Sequence, residues 1–243
     1  MSKYFSFFTL ILFVVFTSCD NDNNDSLNDE NGQNYNPTEF AQNFGNAINR
    51  TFLGTVIDKN YNPIPDVTIT IGNAMAQTDT NGVFIVSDAP VYERFGYVKA
   101  EKSGYISGSR SVVPSEGTNK VEIMLLDETV VGTVNSGTEE TVTLSDGASV
   151  VLPGNYSNAD GTAYSGSVNV IMHHLDPADE DMQLQMPGML YAANSENQER
   201  MLQTFGMLVV ELKGSAGESL NLTEGSTAEI TVPLDASLLS DAP

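Results

Sequence analysis

From Phe52 onward the chain never sustains a helical repeat. Short apolar or alternating runs return every eight to fifteen residues instead, cut apart by clusters of Gly, Pro, Asn and Asp. A run of that length with period two gives one face to a core and the other to water, which is the signature of antiparallel β structure. The chain is therefore expected to be all-β, with sheets closed face to face. Its 243 residues leave room for roughly one or two domains of ~100–200 residues each. A composition that is 40% hydrophobic and 17% charged excludes wholesale disorder.

The first body is expected over residues 50–126. Phe52 to Ile57 reads as a strand, and Asn62-Pro63-Ile64-Pro65 as an extended link, because each Pro fixes φ and biases its predecessor away from helix. Val67, Ile69 and Ile71 alternate with Thr68 and Thr70, giving one buried and one polar face. Thr78-Asp79-Thr80-Asn81-Gly82 supplies a turn, and Val83 to Val86 is expected as the strand that returns from it to complete a hairpin. Tyr97 to Ala100 and Val121 to Leu125 close the set.

Four stretches in order carry a resemblance: Gly54-Thr55-Val56-Ile57-Asp58, Pro63-Ile64-Pro65-Asp66-Val67, Thr78-Asp79-Thr80-Asn81-Gly82-Val83-Phe84 and Lys102-Ser103-Gly104-Tyr105. Together they resemble the carboxypeptidase regulatory-like domain, a small prealbumin-like β-sandwich. The resemblance implies a noncatalytic module that serves as spacer, folding aid or binding surface on secreted and envelope proteins. A second β-sandwich is expected over residues 127–243, from strands at Val130–Val134, Thr141–Leu144, Ser149–Leu152, Ser167–His174, Met207–Leu212 and Thr227–Leu234. Within it, Asp160 to Val168, Asp176-Pro177, Met186-Pro187-Gly188 and Thr204-Phe205-Gly206-Met207 are similar to a region that follows such modules in bacterial lipoproteins and in cartilage intermediate layer proteins. Members of that group continue with Trp-containing strands, and this sequence has no Trp. The resemblance thus implies either a fragment of a longer protein or a truncated member, with a second sheet that lacks covering strands.

The N-terminal residues carry an address. Lys3 precedes an apolar run from Phe5 to Phe16, suited to a signal peptide and shorter than the roughly 20 residues a membrane span needs. The run ends at Phe16-Thr17-Ser18-Cys19, which resembles a bacterial lipobox, with Phe16 where Leu is usual. The resemblance implies cleavage after residue 18 and lipidation of Cys19. Because Cys19 is the only cysteine, no intramolecular disulfide competes for its thiol. The alternative is an ordinary secretory signal with an incidental Cys19. Residues 19–49 are expected to hold the lipidated cysteine and an acidic tether that starts Asp20-Asn21-Asp22-Asn23-Asn24-Asp25 and is too polar to bury anything. Acidic residues behind the cysteine resemble the surface-export signals of Bacteroidetes-type lipoproteins, whereas Asp20 directly after Cys19 would in enteric bacteria imply retention at the inner membrane; Asp25-Ser26-Leu27 matches the O-glycosylation pattern of Bacteroidetes-type bacteria. Within this span, residues 38–48 are expected to form a brief helix with Phe40, Phe44 and Ile48 along one face.

A net charge of -22, from 10 basic and 32 acidic residues, repels a phosphate backbone, so nucleic acid is set aside as a partner. His173 and His174, the only histidines, point to opposite faces of their strand and cannot share one metal ion; a metal site there needs Asp176 to complete it. Asp176, Asp179, Glu180 and Asp181 form an acidic loop that either holds calcium or is simply solvated. No Gly-x-Ser-x-Gly elbow, Ser-x-x-Lys pair or phosphate-binding Gly-rich loop occurs. The expectation is a protein that is not an enzyme, with no cofactor and no metal.

Met182, Met186, Met189, Met201 and Met207 are expected as gap-filling core. Tyr92, Phe95, Tyr97 and Tyr105 are expected to fill the first core, the alternative being a ligand-binding patch. The reading is a noncatalytic lipoprotein of the cell envelope, anchored to the membrane at Cys19, placed at the outer membrane and open to the surface. It displays β-sandwich modules that bind a protein or glycan ligand or act as spacers. The competing function, a carbohydrate-binding or glycan-processing accessory, requires exposed aromatic rings in a row.

Overall fold

The structure is a computed structural model that describes residues 44–196 and 198–238. The expected signal peptide, Cys19 and the expected acidic tether up to residue 43 lie outside the described residues. What is described is all-β, and no helix in it is long and apolar enough to cross a membrane.

The first half holds β1 (Ala47–Ile57), β2 (Thr68–Ile71), β3 (Ala74–Gln77), β4 (Val83–Tyr92), β5 (Gly96–Glu101), β6 (Gly108–Val112) and β7 (Thr118–Met124). One sheet has the order β4-β1-β7 and the other β3-β2-β5-β6. β1 runs antiparallel to β4, with Phe52 opposite Val86, and parallel to β7, with Val56 opposite Ile123. Phe52, Val56, Phe84, Val121 and Ile123 from the first sheet meet Ile69, Ile71, Val98 and Ala100 from the second in one buried core. A β-sandwich results, each strand giving alternate side chains to the shared interior. Gly54 sits between Phe52 and Val56 because the Phe84 ring occupies its inner side: an added Cβ would lie 2.4 Å from both Phe84 Cζ and the Val121 carbonyl oxygen.

Two local expectations change. Ala47 and Ile48 are already strand, Ile48 lying opposite Val91, because this residue extends the first core. Of the expected helix over residues 38–48, Phe44 is helical, whereas Ala47 and Ile48 are strand, and the first strand begins earlier than residue 50. The partner of Thr68–Ile71 is β3, through the tight turn at Gly72 (φ 58°) and Asn73, with Ile71 opposite Ala74. Val83–Val86 belongs to the opposite sheet beside β1, so the Thr78–Gly82 turn carries the chain between sheets and closes no hairpin.

The second half holds β8 (Val130–Asn135), β9 (Glu140–Thr143), β10 (Ser149–Leu152), β11 (Tyr156–Asn158), β12 (Ala163–Tyr164), β13 (Ser167–Leu175), α1 (Met182–Gln185), β14 (Tyr191–Ala193), β15 (Glu199–Met201), β16 (Met207–Gly214), β17 (Ser219–Leu222) and β18 (Glu229–Thr231). A sheet ordered β12-β11-β17-β16-β13-β8 faces a smaller one ordered β18-β10-β9, and β14 and β15 form a separate hairpin. Val134, Val150, Leu152, Val168, Val170 and Leu212 fill the space between them. β18 is much shorter than the strand expected over Thr227–Leu234, and Ile230 is 55% exposed. Its pairing is confined to three residues opposite β10.

β13 is apolar on both faces because both are covered. Val168, Val170 and Met172 point into the second sandwich. Ile171 and Leu175 join Ile106 and Leu126 of the first half, with Met182 of α1 and Met186 at its C-terminal end, in a third buried cluster. Both sandwiches accordingly fall in one compact unit.

Candidate functional site

β4 and β5 lie in different sheets, so the chain turns a corner between them at Glu93 and Arg94. The Tyr92 amide donates to the Phe95 carbonyl at 2.9 Å, and the Phe95 amide donates back at 3.2 Å. Side-chain parity then decides which aromatics are exposed. Ala89 and Val91 on β4 and Gly96, Val98 and Ala100 on β5 point inward, so Tyr92 and Tyr97 point outward. They are 40% and 42% exposed.

Phe44 is strapped across this corner. The Arg94 amide donates to the Phe44 carbonyl at 2.9 Å, and the Glu93 amide to the Asn46 carbonyl at 3.0 Å. The Glu93 carboxylate accepts in return from the Asn46 amide at 3.1 Å and from Asn46 Nδ2 at 3.2 Å. These bonds, the amide first, hold the Glu93 carboxyl below the usual carboxylate range. Gly45 (φ 81°) makes the approach possible, since a Cβ there would lie 2.5 Å from Glu93 Oε2.

Four rings line up as a consequence. Phe95 and Tyr97 are nearly parallel, 13° between planes and 6.2 Å between centroids. Phe44 lies 4.4 Å from Phe95 and 6.4 Å from Tyr92. Such a row offers flat apolar faces on a surface that is otherwise strongly acidic and polar. The β14–β15 hairpin lies near its rim: Glu199 accepts from the Tyr191 hydroxyl and raises that phenol's pKa, while the Arg94 guanidinium acts in the opposite sense.

The expected core placement is therefore overturned for Tyr92 and Tyr97. Phe95 is half-buried in the row, and only Tyr105 packs against the first core. Period-two parity counted from Val98 and Ala100 points Tyr97 outward from sequence alone. No such signal marks Phe44, whose strand-flanking role depends on the Asn46–Glu93 contacts.

His174 takes the inward side of β13, and its Nδ1 lies 2.9 Å from Asp146 Oδ2 in the β9–β10 turn. Asp176 instead accepts from the Ala178 amide. The Asp146 carboxyl is held low, first by the Ala148 amide and then by His174. His173 on the other face lies with Nε2 2.8 Å from the Asp127 carbonyl; a carbonyl only accepts, so Nε2 carries the hydrogen. In the acidic loop Asp179 accepts from the Asp181 amide, and Asp181 accepts from the Tyr61 hydroxyl. No group of three or more potential metal ligands occurs among the described residues. Met182, Met186 and Met207 belong to the third core cluster as expected, whereas Met201 is 80% exposed, because it sits on the two-stranded hairpin with no sheet over it. Cys19 lies outside the described residues.

No family model and no curated protein matches the sequence. Among solved structures, the chain is similar to a Bacteroides uniformis protein solved as a "putative carbohydrate binding protein", at 6% identity and a TM-score of 0.27. The match covers 75% of this chain and 98% of the other. At that TM-score nothing of its fold or ligand is carried over.

Proposed function

We propose that this chain is a noncatalytic lipoprotein of the cell envelope that binds a glycan across Phe44, Tyr92, Phe95 and Tyr97. The observation that carries this reading is the exposed aromatic row. Sugar rings present C–H faces that stack on flat aromatic faces, and their hydroxyls need polar partners at the edge. Glu93, Tyr191 and Glu199 supply such groups beside the rings. A spacer has no use for these rings on its surface, because the same residues would stabilise the fold if buried.

The anchor in this reading is Cys19, acylated at the head of the acidic tether. Two or more acyl chains hold a protein stably on a membrane, at ~0.8 kcal/mol per buried methylene. The binding face would then be carried outside the cytoplasm by the tether.

Isothermal titration against a panel of soluble glycans tests the ligand. At least one glycan should bind, and Tyr97→Ala should weaken it about tenfold, ~1.4 kcal/mol, with an unchanged unfolding midpoint. A panel with no binder, or an alanine variant that binds as well as wild type, would return the row to a protein-docking role.

A further inference from the structure

The six-stranded sheet is not continuous. β16 follows β13 along its whole length, from Val168 opposite Gly214 to Leu175 opposite Met207. On its other side it meets β17 at only two pairs, Leu212 with Leu220 and Lys213 with Ser219. β17 then leaves for β11, where Leu222 lies opposite Tyr156 and Asn221 opposite Ser157. In the turn joining β16 to β17 the Gly214 amide donates to the Glu218 carbonyl at 2.8 Å. By antiparallel alternation, Leu212, Val210 and Leu208 aim their amides and carbonyls to that same side. Leu220 meets Leu212, but no strand among the described residues pairs with Val210 or Leu208 there. This part of β16 is a free strand edge.

The gap beside that edge opens into a groove of about 530 Å³. Its floor is the apolar interior of the second sandwich, with Val150, Leu152 and Leu222, and its rim carries Glu128, Glu211 and Lys213. Lys213 lies 3.5 Å from Glu128 and 3.6 Å from Glu211, so one ammonium faces two carboxylates and the rim keeps a negative excess. The apolar run Met207-Leu208-Val209-Val210 would be buried in a completed sheet, yet it is only half-buried.

We propose that this groove takes one more strand, an extended peptide segment of a partner protein in which apolar and basic side chains alternate. Its main chain pairs with the free amides and carbonyls of Leu208 and Val210, as in strand addition at an exposed sheet edge. Its apolar side chains fall on one face and fill the floor, while its basic ones fall on the other and meet Glu128 and Glu211. The charge of -22 on the chain steers a basic segment toward it and an acidic one away. This site is separate from the aromatic row and does not depend on glycan binding.

A short fluorescent peptide alternating valine and lysine, titrated against the full chain, is the direct probe. It should bind, slow hydrogen exchange at the Val210 and Leu208 amides, and weaken about tenfold in the Glu128→Gln, Glu211→Gln variant at an unchanged unfolding midpoint. The same peptide with alternate backbone amides N-methylated, so that one edge cannot donate, should bind at least tenfold more weakly. Absence of binding overturns the proposal. So does equal binding by a valine and glutamate peptide, equal binding by the N-methylated peptide, or unchanged exchange at Val210 and Leu208 in the bound state.

Discussion

Asp127 shows how much one carboxylate does at the joint between the two sandwiches. It accepts from the Thr129 hydroxyl, which is the main cause of its low pKa, and from Lys59 Nζ at 2.9 Å, and these partners bring it to about 2. A carboxyl whose folded pKa lies below its unfolded value of 3.8 stabilises the fold above the unfolded pKa and loses that contribution as pH falls through the folded one. With the carboxylate about a third exposed, screening reduces the effect to about 1 kcal/mol. Asp127→Asn should therefore lower stability by about that amount at pH 7, and the difference from wild type should vanish between pH 4 and pH 2. Urea titrations across that range read it; a gap that persists below pH 2 would mean the loss is not electrostatic. At Gly54 the cause is steric. Gly54→Ala drives a Cβ into the Phe84 ring and the Val121 carbonyl, and overpacking of this kind costs about 1–3 kcal/mol, measurable as a lower urea midpoint with an unchanged slope.

Between residues and domains, the turns explain what could be read in advance. Asp79 accepts from the Asn81 and Val83 amides at 2.8 and 2.9 Å, and Gly82 takes φ 69°, as the Asp-Thr-Asn-Gly sequence implies. The turn was legible; the sheet that the next strand enters was not, because alternation names a buried face without naming the neighbour across it. Gly72-Asn73 is a two-residue turn signal of the same kind, and it fixes β3 beside β2. β18 marks the opposite limit: the alternation of Ala228, Ile230, Val232 and Leu234 reads as one buried face, yet Ile230 and Leu234 are exposed, because nothing among the described residues covers that end of the small sheet. For the candidate site, the core placement expected of Tyr97 ran against the parity of Val98 and Ala100, which points it outward as observed, whereas Phe44 reaches the row only through the long-range bonds of Asn46 and Glu93. Asn46→Ala tests this strap. It should leave the sandwich folded but loosen Phe44, seen as faster exchange at the Arg94 amide that bonds the Phe44 carbonyl. An unchanged rate would show that the ring contacts alone hold it.

At the scale of the whole molecule, the question is whether two sandwiches behave as two folding units or one. Each has its own buried core, and separate cores alone would permit separate unfolding. The third cluster removes that independence, because Ile171 and Leu175 stand on β13, the strand that also anchors the second core through Val168 and Val170. Opening the contact with Ile106 and Leu126 would expose the outer face of a strand on which the second sandwich depends. Hydrogen bonds cross the same joint: the Ser111 amide donates to the Gly188 carbonyl at 3.2 Å and the Glu128 amide to the Gly104 carbonyl at 2.9 Å. Wild type is therefore expected to unfold in a single cooperative transition. Ile171→Ala removes apolar contacts from the shared cluster and leaves the inward face of β13 intact. Truncation of a buried Ile of this kind costs about 2–5 kcal/mol, and at this position the loss falls on the coupling between the sandwiches. Calorimetry of the variant should resolve two transitions where wild type shows one. Val170→Ala, on the inward face of the same strand, should lower the single transition without splitting it. If both variants keep one transition, the coupling runs through the cross-joint hydrogen bonds and the Asp127 contacts instead of the shared apolar cluster.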